Sequence, residues 1–411
     1  MNVNSARNVS RLTQQTLALV LAGGRGRALG CLTRQRPDAA LYFAGKFRLI
    51  DFPLSNCVNT DIRRIGVLTH YRAQSLLRHL FKGWNFLDAD RDEFIDVLPA
   101  SHFDDDQGYR GTADAVYKNL DYIANHNPEL VLILAADHVY KMDYGPLLAQ
   151  HVECKADLTI ACVEVDSAQA AGRLGVMTTD GTGRVSGFVE KPVPGDPALK
   201  TSKVLASMGI YAFSRDFLEA ALAVDASAPH SSRDFGRDVI PRAIAGAKVF
   251  AYPFRDIRGH QPYWRDIGNV DAYYRANMEL TAVTPELDLY DRNWPILTHQ
   301  LQLPPARFIG DQPNQMGMAS DSLVSAGCII DGAEVQHSLL FSNVRVAQEA
   351  LVEASVVLPD VTIGRGCRIR GAVVERGVSL ADHTVVGEDP NADKERFEVT
   401  SNGIVLVCNG P

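Results

Sequence analysis

The C-terminal part of the sequence repeats a short aliphatic unit at intervals of about six residues, and this spacing restricts the fold more than any other feature. The interval separates the members of two series: Val361, Cys367 and Val373, and Ile363 and Ile369. Helices and ordinary strands have shorter periods, whereas a parallel β-helix buries one aliphatic side chain in each short strand. We therefore predict a parallel β-helix over residues 321–411, to which residues 403–407 add a further strand.

The longer N-terminal part alternates between apolar runs and amphipathic or capped segments. The apolar runs predict strands over residues 17–21, 65–69, 130–136, 158–165, 206–213 and 249–254, and a β pair over residues 172–177 and 184–191. The other segments predict helices over residues 73–82, 112–125, 216–224, within 231–245, and 270–282. Such alternation favours an α/β, Rossmann-like domain with a mostly parallel sheet.

A proline-rich stretch over residues 283–320 interrupts both patterns and predicts an extended linker. The sequence therefore predicts domains over residues 1–282 and 321–411. Within the first domain, residues 51–56 read Asp-Phe-Pro-Leu-Ser-Asn, which we interpret as a turn with a helix cap.

A glycine-rich loop follows the first predicted strand. Glycines and arginines alternate there: Gly23, Gly24, Arg25, Gly26 and Arg27. Glycines expose backbone N–H groups and arginines present forked donors, so the loop suits a polyphosphate. A simple turn explains the loop equally well. No Lys-Ser/Thr pair completes a Walker A motif, and Gly24, Gly26 and Gly30 miss the dinucleotide spacing by one residue.

Acidic residues at three positions are candidates for a metal site. Asp137 follows the most strand-like run, at the sheet edge where α/β folds bind ligands, although a cap or turn role is equally compatible. We interpret His138 as structural rather than a ligand. Asp266 lies among aromatic residues beside an arginine, where a salt-bridged structural role competes with metal binding. Residues 104–106 form an acidic run that reads as a solvated loop.

Gly111 and Thr112 precede a predicted helix, with Thr112 as its N-cap. The N-terminus of that helix is a candidate site for an anion.

Composition excludes several classes of protein. The net charge of −8 argues against a nucleic-acid binder, and no apolar run is long enough to span a membrane. Residues 1–15 are polar, unlike a signal peptide. The seven cysteines form no C-x-x-C pair, so we expect reduced, mostly buried thiols, no zinc site and a cytoplasmic location.

Several longer motifs together resemble a known family. They are LAGGRG, IDFPLSNC, RGTADAV, AADHVYKMDY, FVEKP, ASMGIYAF, YWRDIG and ELDLYDRNWPI. The chain resembles the bacterial ADP-glucose pyrophosphorylases (glucose-1-phosphate adenylyltransferases) from about residue 17 to residue 407. The resemblance implies a GT-A-like nucleotidyltransferase domain with a left-handed β-helix, which makes ADP-glucose and pyrophosphate from ATP and glucose 1-phosphate for glycogen synthesis. It also implies a tetramer, formed with itself or with a homologous subunit, whose activity is set by metabolite effectors.

The resemblance also implies roles for individual residues. Asp137 and Asp266 would hold magnesium, with Asp137 as the central catalytic acid. Lys191 would bind the phosphate of glucose 1-phosphate, and the sugar site would be lined by Tyr109, Gly175, Glu190 and Ser207. The nucleotide would be bound by Gly23, Gly24, Arg25, Gly26 and Gly111.

The chain departs from the family's motifs mainly on the nucleotide side. Ala28 replaces an arginine, and Gln35 and Asp38 replace lysines. Further departures are His70 for glutamine, Gly108 for an aromatic residue and Ala136 for glycine. Two hypotheses follow. The first is an active adenylyltransferase with altered regulation, in which Arg27 compensates for Ala28. The second is a weakly active or inactive paralogue that regulates a catalytic homologue, as the large subunits of the plant enzymes do. An acyltransferase that uses His337 or His383 of the β-helix would leave the N-terminal motifs unexplained.

Overall fold

The structure is a computed structural model that describes residues 3–100, 108–310 and 316–409, with side chains from residue 9 onward. The acidic run at residues 104–106 lies outside these residues. The chain divides into two compact units. The first comprises Met1–Gly24, Phe52–Trp264 and Arg292–Ile296, and the second comprises Arg25–Asp51, Arg265–Asp291 and Leu297–Pro411.

The elements follow one another along the chain in the predicted alternation. The helices are α1 (Val3–Gln14), α2 (Asp51–Asn59), α3 (Gln74–Gly83), α4 (Thr112–Tyr117), α5 (Leu120–His126), α6 (Gly145–Glu153), α7 (Ser167–Ala170), α8 (Arg215–Ser227), α9 (Ile240–Ile244), α10 (Val270–Met278) and α11 (Pro390–Arg396). The strands before residue 300 are β1 (Thr16–Leu21), β2 (Tyr42–Phe43), β3 (Phe47–Arg48), β4 (Arg64–Thr69), β5 (Phe94–Pro99), β6 (Leu130–Ala135), β7 (His138–Tyr140), β8 (Leu158–Asp166), β9 (Gly175–Thr179), β10 (Val185–Glu190), β11 (Lys203–Ser214), β12 (Val249–Pro253) and β13 (Trp264–Asp266).

The later strands are all short. They are β14 (Arg307–Ile309), β15 (Met318–Ser320), β16 (Leu323–Val324), β17 (Ile329–Asp331), β18 (Glu334–Gln336), β19 (Leu339–Leu340), β20 (Arg345–Val346), β21 (Leu351–Glu353), β22 (Val356–Val357), β23 (Thr362–Ile363), β24 (Arg368–Arg370), β25 (Ala372–Val374), β26 (Ser379–Leu380), β27 (Val385–Val386), β28 (Glu398–Val399) and β29 (Val405–Val407). Short 3-10 segments include Arg27–Thr33, Asp38–Ala40 and Glu279–Thr281, and Phe235–Val239 forms a π-helical turn.

A mixed sheet organises the first unit. Its strands run in the order β10-β9-β11-β6-β1-β4-β5, and β8 joins through β11 and pairs with β12. β1 lies between β4 and β6 and is parallel to both, whereas β11 is antiparallel to β6 and β8. β1 and β6 are almost wholly buried, as their unbroken apolar sequences predict for strands covered on both faces. This arrangement confirms the predicted α/β class.

The second unit contains the β-helix. Its short parallel strands form three sheets in which each strand pairs with the strand one coil later. In one ladder Ile330, Val346 and Ile363 lie opposite one another and are fully buried or nearly so. Val361, Cys367 and Val373 are fully buried, so the six-residue spacing marks the core as predicted. β29 extends one sheet by pairing in parallel with β25.

Two local predictions were wrong. Residues 51–56 belong to helix α2, because Pro53 lies in its first turn, where a backbone N–H has no helical partner to lose. Thr112 is not an N-cap: Gly111 occupies that position with an extended φ of −169°. The Thr112 hydroxyl instead donates to Asp234 Oδ2 at 3.0 Å and accepts from the backbone N–H of Phe235 at 3.0 Å.

The expectation that all cysteines are reduced was also wrong. Cys31 and Cys408 form a disulfide within the second unit, across a sequence separation of 377 residues. The remaining five cysteines are free. Burial raises the pKa of the Cys162 thiol to about 12, as predicted for an inert core cysteine. None of the helices in the described ranges combines the length and apolar character that a membrane crossing requires.

Candidate functional site

The ends of three neighbouring strands in the first unit bring together the residues predicted to bind a sugar. Glu190, at the end of β10, lies directly opposite Gly175 at the start of β9. On the other side of β9, Ala206 of β11 lies opposite Val176, which brings the adjacent Ser207 to the same corner of the sheet. Residues separated by more than thirty positions in the sequence thus line one edge.

Glycines surround the Glu190 carboxylate. A Cβ atom at Gly175 would lie 2.8 Å from Glu190 Oε2, and a Cβ atom at Gly236 would lie 2.7 Å from Glu190 Cδ. Neither distance is sterically possible without movement of the glutamate. Burial raises the pKa of Glu190, and nearby Asp234 raises it further against the opposing effects of Lys191 and Arg237. The carboxylate is therefore held in a narrow, partly desolvated position.

Lys191 supplies the positive charge at this edge. Its backbone adopts a left-handed conformation with φ of +51°, and its N–H donates to the carbonyl oxygen of Leu174 at 3.2 Å. Its ammonium lies 3.7 Å from Glu190 Oε1, and half of the side chain is exposed. A solvent-accessible ammonium beside a partly buried carboxylate can bind an anionic group while the carboxylate accepts hydrogen bonds from hydroxyls.

Ser207 lies at the floor of this corner. The side chain is buried, and its hydroxyl donates to the Tyr211 hydroxyl at 3.3 Å and accepts from the Gly209 backbone N–H at 3.2 Å. Burial raises the pKa of Tyr211, so its hydroxyl stays protonated and remains a donor. Tyr211 was not among the predicted site residues.

The Asp234–Gly236 turn was also missed. Asp234 Oδ1 accepts from the backbone N–H groups of Gly236 at 3.0 Å and Arg237 at 3.1 Å, which fixes the turn against Glu190. The sequence signal for this turn was the Asp-Phe-Gly triplet. The aspartate caps the turn, and the glycine has no side chain, so another group can lie close to it.

Tyr109 contacts a different set of residues. Its hydroxyl donates to the carbonyl oxygen of Leu98 at 3.1 Å and accepts from the Asn119 amide at 2.9 Å. Its ring packs edge-on against His70, with centroids 6.1 Å apart. Burial raises the pKa of Tyr109, which keeps the hydroxyl protonated. A direct role of Tyr109 toward a sugar stays a prediction.

His70 and Gly108, which both depart from the family motifs, lie next to each other, and His70 also lies beside the glycine loop. A Cβ atom at Gly23 would lie 3.0 Å from His70 Cβ, so the backbone and Cβ of His70 lie beside the start of the loop. A Cβ atom at Gly108, whose φ is +60°, would lie 2.5 Å from His70 Nε2. The histidine therefore fills space that a side chain at position 108 would need.

Gly111 has a structural explanation of its own. A Cβ atom there would lie 2.8 Å from the carbonyl carbon of Arg233, which is closer than two such atoms approach. The Arg233 carbonyl oxygen accepts from the N–H of Ala113 at 2.9 Å, so the first turn of α4 is capped by backbone. A nucleotide contact at Gly111 stays a prediction.

Asp137 directly follows β6, at the C-terminal edge of the parallel strands as predicted. Its Oδ1 lies 3.4 Å from His138 Nε2, and about a third of its side chain is exposed. His138 is buried, and its ring packs edge-on against Trp264 at 5.1 Å between centroids. This fits the structural role predicted for His138, which orients one oxygen of Asp137 and leaves the carboxylate accessible.

Asp266 ends β13, in the second unit. A Cβ atom at Gly268 would lie 3.2 Å from each of its carboxylate oxygens, so the glycine leaves room around the acid. The neighbouring Arg265 pairs with Glu279 at 3.2 Å. Carboxylate oxygens are the ligands that Mg²⁺ prefers, so the chemistry of both Asp137 and Asp266 fits the predicted metal.

The remainder of the glycine loop lies in the second unit and is tightly bound there. Gly26 has a φ of +53°, and its carbonyl oxygen accepts from the Leu29 N–H at 2.9 Å and the Thr33 hydroxyl at 3.0 Å. A Cβ atom at Gly26 would lie 3.1 Å from Asp38 Cβ, so the acidic replacement packs against the loop. Ala28 is exposed, and Arg25 lines a surface pocket.

Comparison with known proteins agrees with this architecture. Residues 17–283 match the nucleotidyl transferase family, and residues 304–407 match the GlmU-like C-terminal hexapeptide family. The chain is 56% identical to the glucose-1-phosphate adenylyltransferase of Methylococcus capsulatus, over 98% of this chain and 95% of that protein. It is 54% identical to the protein of the same name from Nitrosococcus oceani, over 98% and 96%. A Shewanella glucose-1-phosphate adenylyltransferase is 49% identical, over 98% and 97%.

Proposed function

Since the chain belongs to the glucose-1-phosphate adenylyltransferase family of nucleotidyl transferases, we propose that it transfers the adenylyl group of ATP to glucose 1-phosphate. The products are ADP-glucose and pyrophosphate, and ADP-glucose is a glucosyl donor for glycogen synthesis. The observation that carries the proposal is the convergence of Glu190, Lys191 and Ser207 at one corner of the sheet. Together these residues offer a hydrogen-bond acceptor, a positive charge and a hydroxyl, which are the groups that a phosphorylated sugar requires.

In this proposal Lys191 binds the phosphate of glucose 1-phosphate, and Glu190 accepts hydrogen bonds from the sugar hydroxyls. Gly175 provides the space that keeps Glu190 in position, and Ser207 and Tyr109 line the same substrate site. Because the Lys191 ammonium is half-exposed, it can turn from Glu190 to the incoming phosphate without a large cost.

We further propose that Asp137 and Asp266 hold a magnesium ion. The pairing rests on the sequence resemblance, and the partly exposed carboxylate of Asp137 supports it. When bound, magnesium would neutralise charge on the phosphates that react.

The reaction places few covalent demands on the protein. The phosphate oxygen of glucose 1-phosphate attacks the α-phosphorus of ATP in line, and the bond to the β-phosphate breaks as pyrophosphate leaves. Catalysis is then mainly positioning and electrostatic stabilisation. Lys191 orients the attacking group, and the backbone N–H groups of Gly23, Gly24 and Gly26, with Arg25 and Gly111, hold the nucleotide.

Pyrophosphate release by the purified chain tests the proposal, with ATP, glucose 1-phosphate and magnesium as reactants and UTP, GTP and dTTP as controls. We expect turnover that is selective for ATP. Background turnover from folded protein, restored or modulated by a catalytic homologue, would instead identify the regulatory subunit that Ala28 and Asp38 suggested as the alternative.

Assembly and regulation complete the proposal. Membership of the family supports a tetramer, a cytoplasmic location and control by metabolite effectors. Gln35 replaces the lysine associated with the activator site, so the identity of the effector is not transferred from relatives.

A further inference from the structure

One threonine hydroxyl joins the first turn of α4 to the chain segment that lies against Glu190. The Thr112 hydroxyl donates to Asp234 Oδ2 at 3.0 Å and accepts from the backbone N–H of Phe235 at 3.0 Å. These partners are 122 and 123 residues away in the sequence, so both hydrogen bonds are tertiary contacts within the first unit. A single side chain therefore holds two consecutive residues of the segment 231–236, which we call the 231–236 loop.

The backbone of α4 holds the same loop at a second point. The carbonyl oxygen of Arg233 accepts from the N–H of Ala113 at 2.9 Å, and Gly111 makes room for this carbonyl because it has no side chain. Arg233 has a left-handed backbone with φ of +63°. That conformation is unfavourable for a residue other than glycine and persists where the surroundings hold it. The loop thus lies against α4 along residues 233–235.

A buried ion cluster anchors the beginning of the loop. The Asp225 side chain at the end of α8 is 2% exposed, and its carboxylate lies 3.3 Å from Arg242 Nη1 and 3.7 Å from Arg233 Nη1. It also accepts from the Ser231 hydroxyl at 2.7 Å. A buried carboxylate with such partners is costly to disrupt, so the loop is fixed up to Arg233. The residues that follow depend on Thr112.

The end of the loop confines Glu190. A Cβ atom at Gly236 would lie 2.7 Å from Glu190 Cδ and 3.2 Å from Glu190 Cγ, so the Gly236 backbone lies directly against that side chain. Asp234, whose Oδ2 accepts from Thr112, accepts from the Gly236 N–H at 3.0 Å through Oδ1. One carboxylate therefore connects the Thr112 hydroxyl to the backbone that confines Glu190.

We propose that Thr112 is a positioning residue for glucose 1-phosphate, which fixes the Glu190 carboxylate through Asp234 and Gly236. This role rests on the function proposed above. It assigns Thr112 to the sugar side of the reaction, although the adjacent Gly111 is predicted to contact the nucleotide. The KM values for the two substrates distinguish these sides.

Steady-state kinetics of the full-length protein provide the first test. Thr112→Val keeps the shape of the side chain but removes the hydroxyl, so we expect the KM for glucose 1-phosphate to rise about tenfold and the KM for ATP to change less than about twofold. Thr112→Ser keeps the hydroxyl and should restore the KM of the wild type. Thr112→Ala gives the same readout if the valine variant does not fold. Thr13→Val is the matched control, because it removes a buried hydroxyl that donates within α1.

A double variant tests whether Thr112 acts through Glu190. Gly236→Ala displaces the same carboxylate, so the KM for glucose 1-phosphate in Thr112→Val/Gly236→Ala should lie below the product of the two single increases. Increases that multiply would place the effect of Thr112 elsewhere and overturn the proposal. An unchanged KM for glucose 1-phosphate in Thr112→Val overturns it as well, as does a rise in the KM for ATP instead.

Calorimetric titration with glucose 1-phosphate separates this proposal from the proposed function. A wild-type protein that forms no ADP-glucose overturns the proposed function, while the titration still decides on Thr112. We expect the Kd for glucose 1-phosphate to rise about tenfold in Thr112→Val and to recover in Thr112→Ser. An equal Kd in the wild type and Thr112→Val, or no binding by the wild type, overturns the role of Thr112.

Discussion

At the scale of single residues, space around carboxylates organises the candidate site. Glu190 is confined by Gly175 and Gly236, and Asp266 lies beside Gly268. In each case a missing side chain, rather than a direct contact, defines where the acid lies. At Gly236 the nearest atoms to an added Cβ all belong to Glu190, so a conservative change there should affect substrate binding while leaving the fold intact.

Gly236→Ala tests this at Glu190. The added methyl group would lie 2.7 Å from Glu190 Cδ, so the carboxylate must move. Misplacement of a positioning group by about 1 Å costs up to two orders of magnitude in catalysis, and we expect the KM for glucose 1-phosphate to rise about tenfold. The KM for ATP should change little. Gly246→Ala is the control, since nothing lies within 4 Å of its Cβ position. An unchanged KM for glucose 1-phosphate would show that Glu190 is not positioned by this contact.

Asp137→Asn tests the central acid. The change keeps the volume and removes the charge, so we expect kcat to fall about a hundredfold or more while the thermal midpoint stays the same. Asp121→Asn is the control, because it makes the same change of charge at an exposed position of α5, away from the sheet edge. Retained turnover in Asp137→Asn would remove this residue from its proposed role.

At the scale of elements, buried polar side chains connect helices to the sheet. His151 of α6 reaches Thr159 of β8 at 2.9 Å through Nδ1 and Ser214 of β11 at 3.1 Å through Nε2. Since the Ser214 hydroxyl donates to the Ala156 carbonyl oxygen, it accepts from Nε2, and Thr159 then donates to Nδ1. This arrangement requires a neutral imidazole.

His151 should make stability depend on pH. Burial lowers its pKa from 6.5 to about 4, so the unfolded state binds a proton first as the pH falls. The stabilisation is present above pH 6.5 and is lost progressively down to about pH 4, by roughly 3 kcal/mol in total. The urea concentration at the unfolding midpoint should fall less for His151→Gln than for the wild type when the pH is lowered from 7.5 to 5. His260→Gln, at an exposed histidine, should behave like the wild type.

Strong periodic signals made most elements predictable from the sequence. The unbroken apolar runs at β1 and β6 reflect burial on both faces of the sheet, and the six-residue spacing of the β-helix reflects burial of one side chain in each short strand. The prediction of Thr112 as an N-cap was wrong, because its hydroxyl donates a hydrogen bond to Asp234, which is distant in the sequence. The Asp-Phe-Gly triplet indicates the turn at Asp234–Gly236, but its position against Glu190 was not predictable, since it depends on an approach between distant chain segments.

At the scale of the whole molecule, the chain returns at its C-terminus to a segment near its start. Arg34 pairs with Glu398, Arg36 pairs with Glu375 at 3.0 Å, and Gly30 packs against Leu406. The Arg36–Glu375 pair is nearly buried, with side-chain exposures of 11% each, so removal of one partner would leave an uncompensated charge. These contacts hold residues 30–36 against the C-terminal part of the second unit.

The Cys31–Cys408 disulfide should stabilise this unit. It closes a loop across 377 residues, and a native disulfide typically contributes about 2–4 kcal/mol by restricting the unfolded chain. Reductant should therefore lower the thermal midpoint of the wild type by a few degrees. Cys408→Ser should begin at the lower midpoint and not respond to reductant, whereas Cys154→Ser, at a free cysteine, should behave like the wild type.

Thiol titration of the denatured protein provides the direct check on this bond. Five thiols should react before reduction and seven after it, since five cysteines are free and the chain contains seven. Seven reactive thiols without reductant would exclude the disulfide in the purified protein.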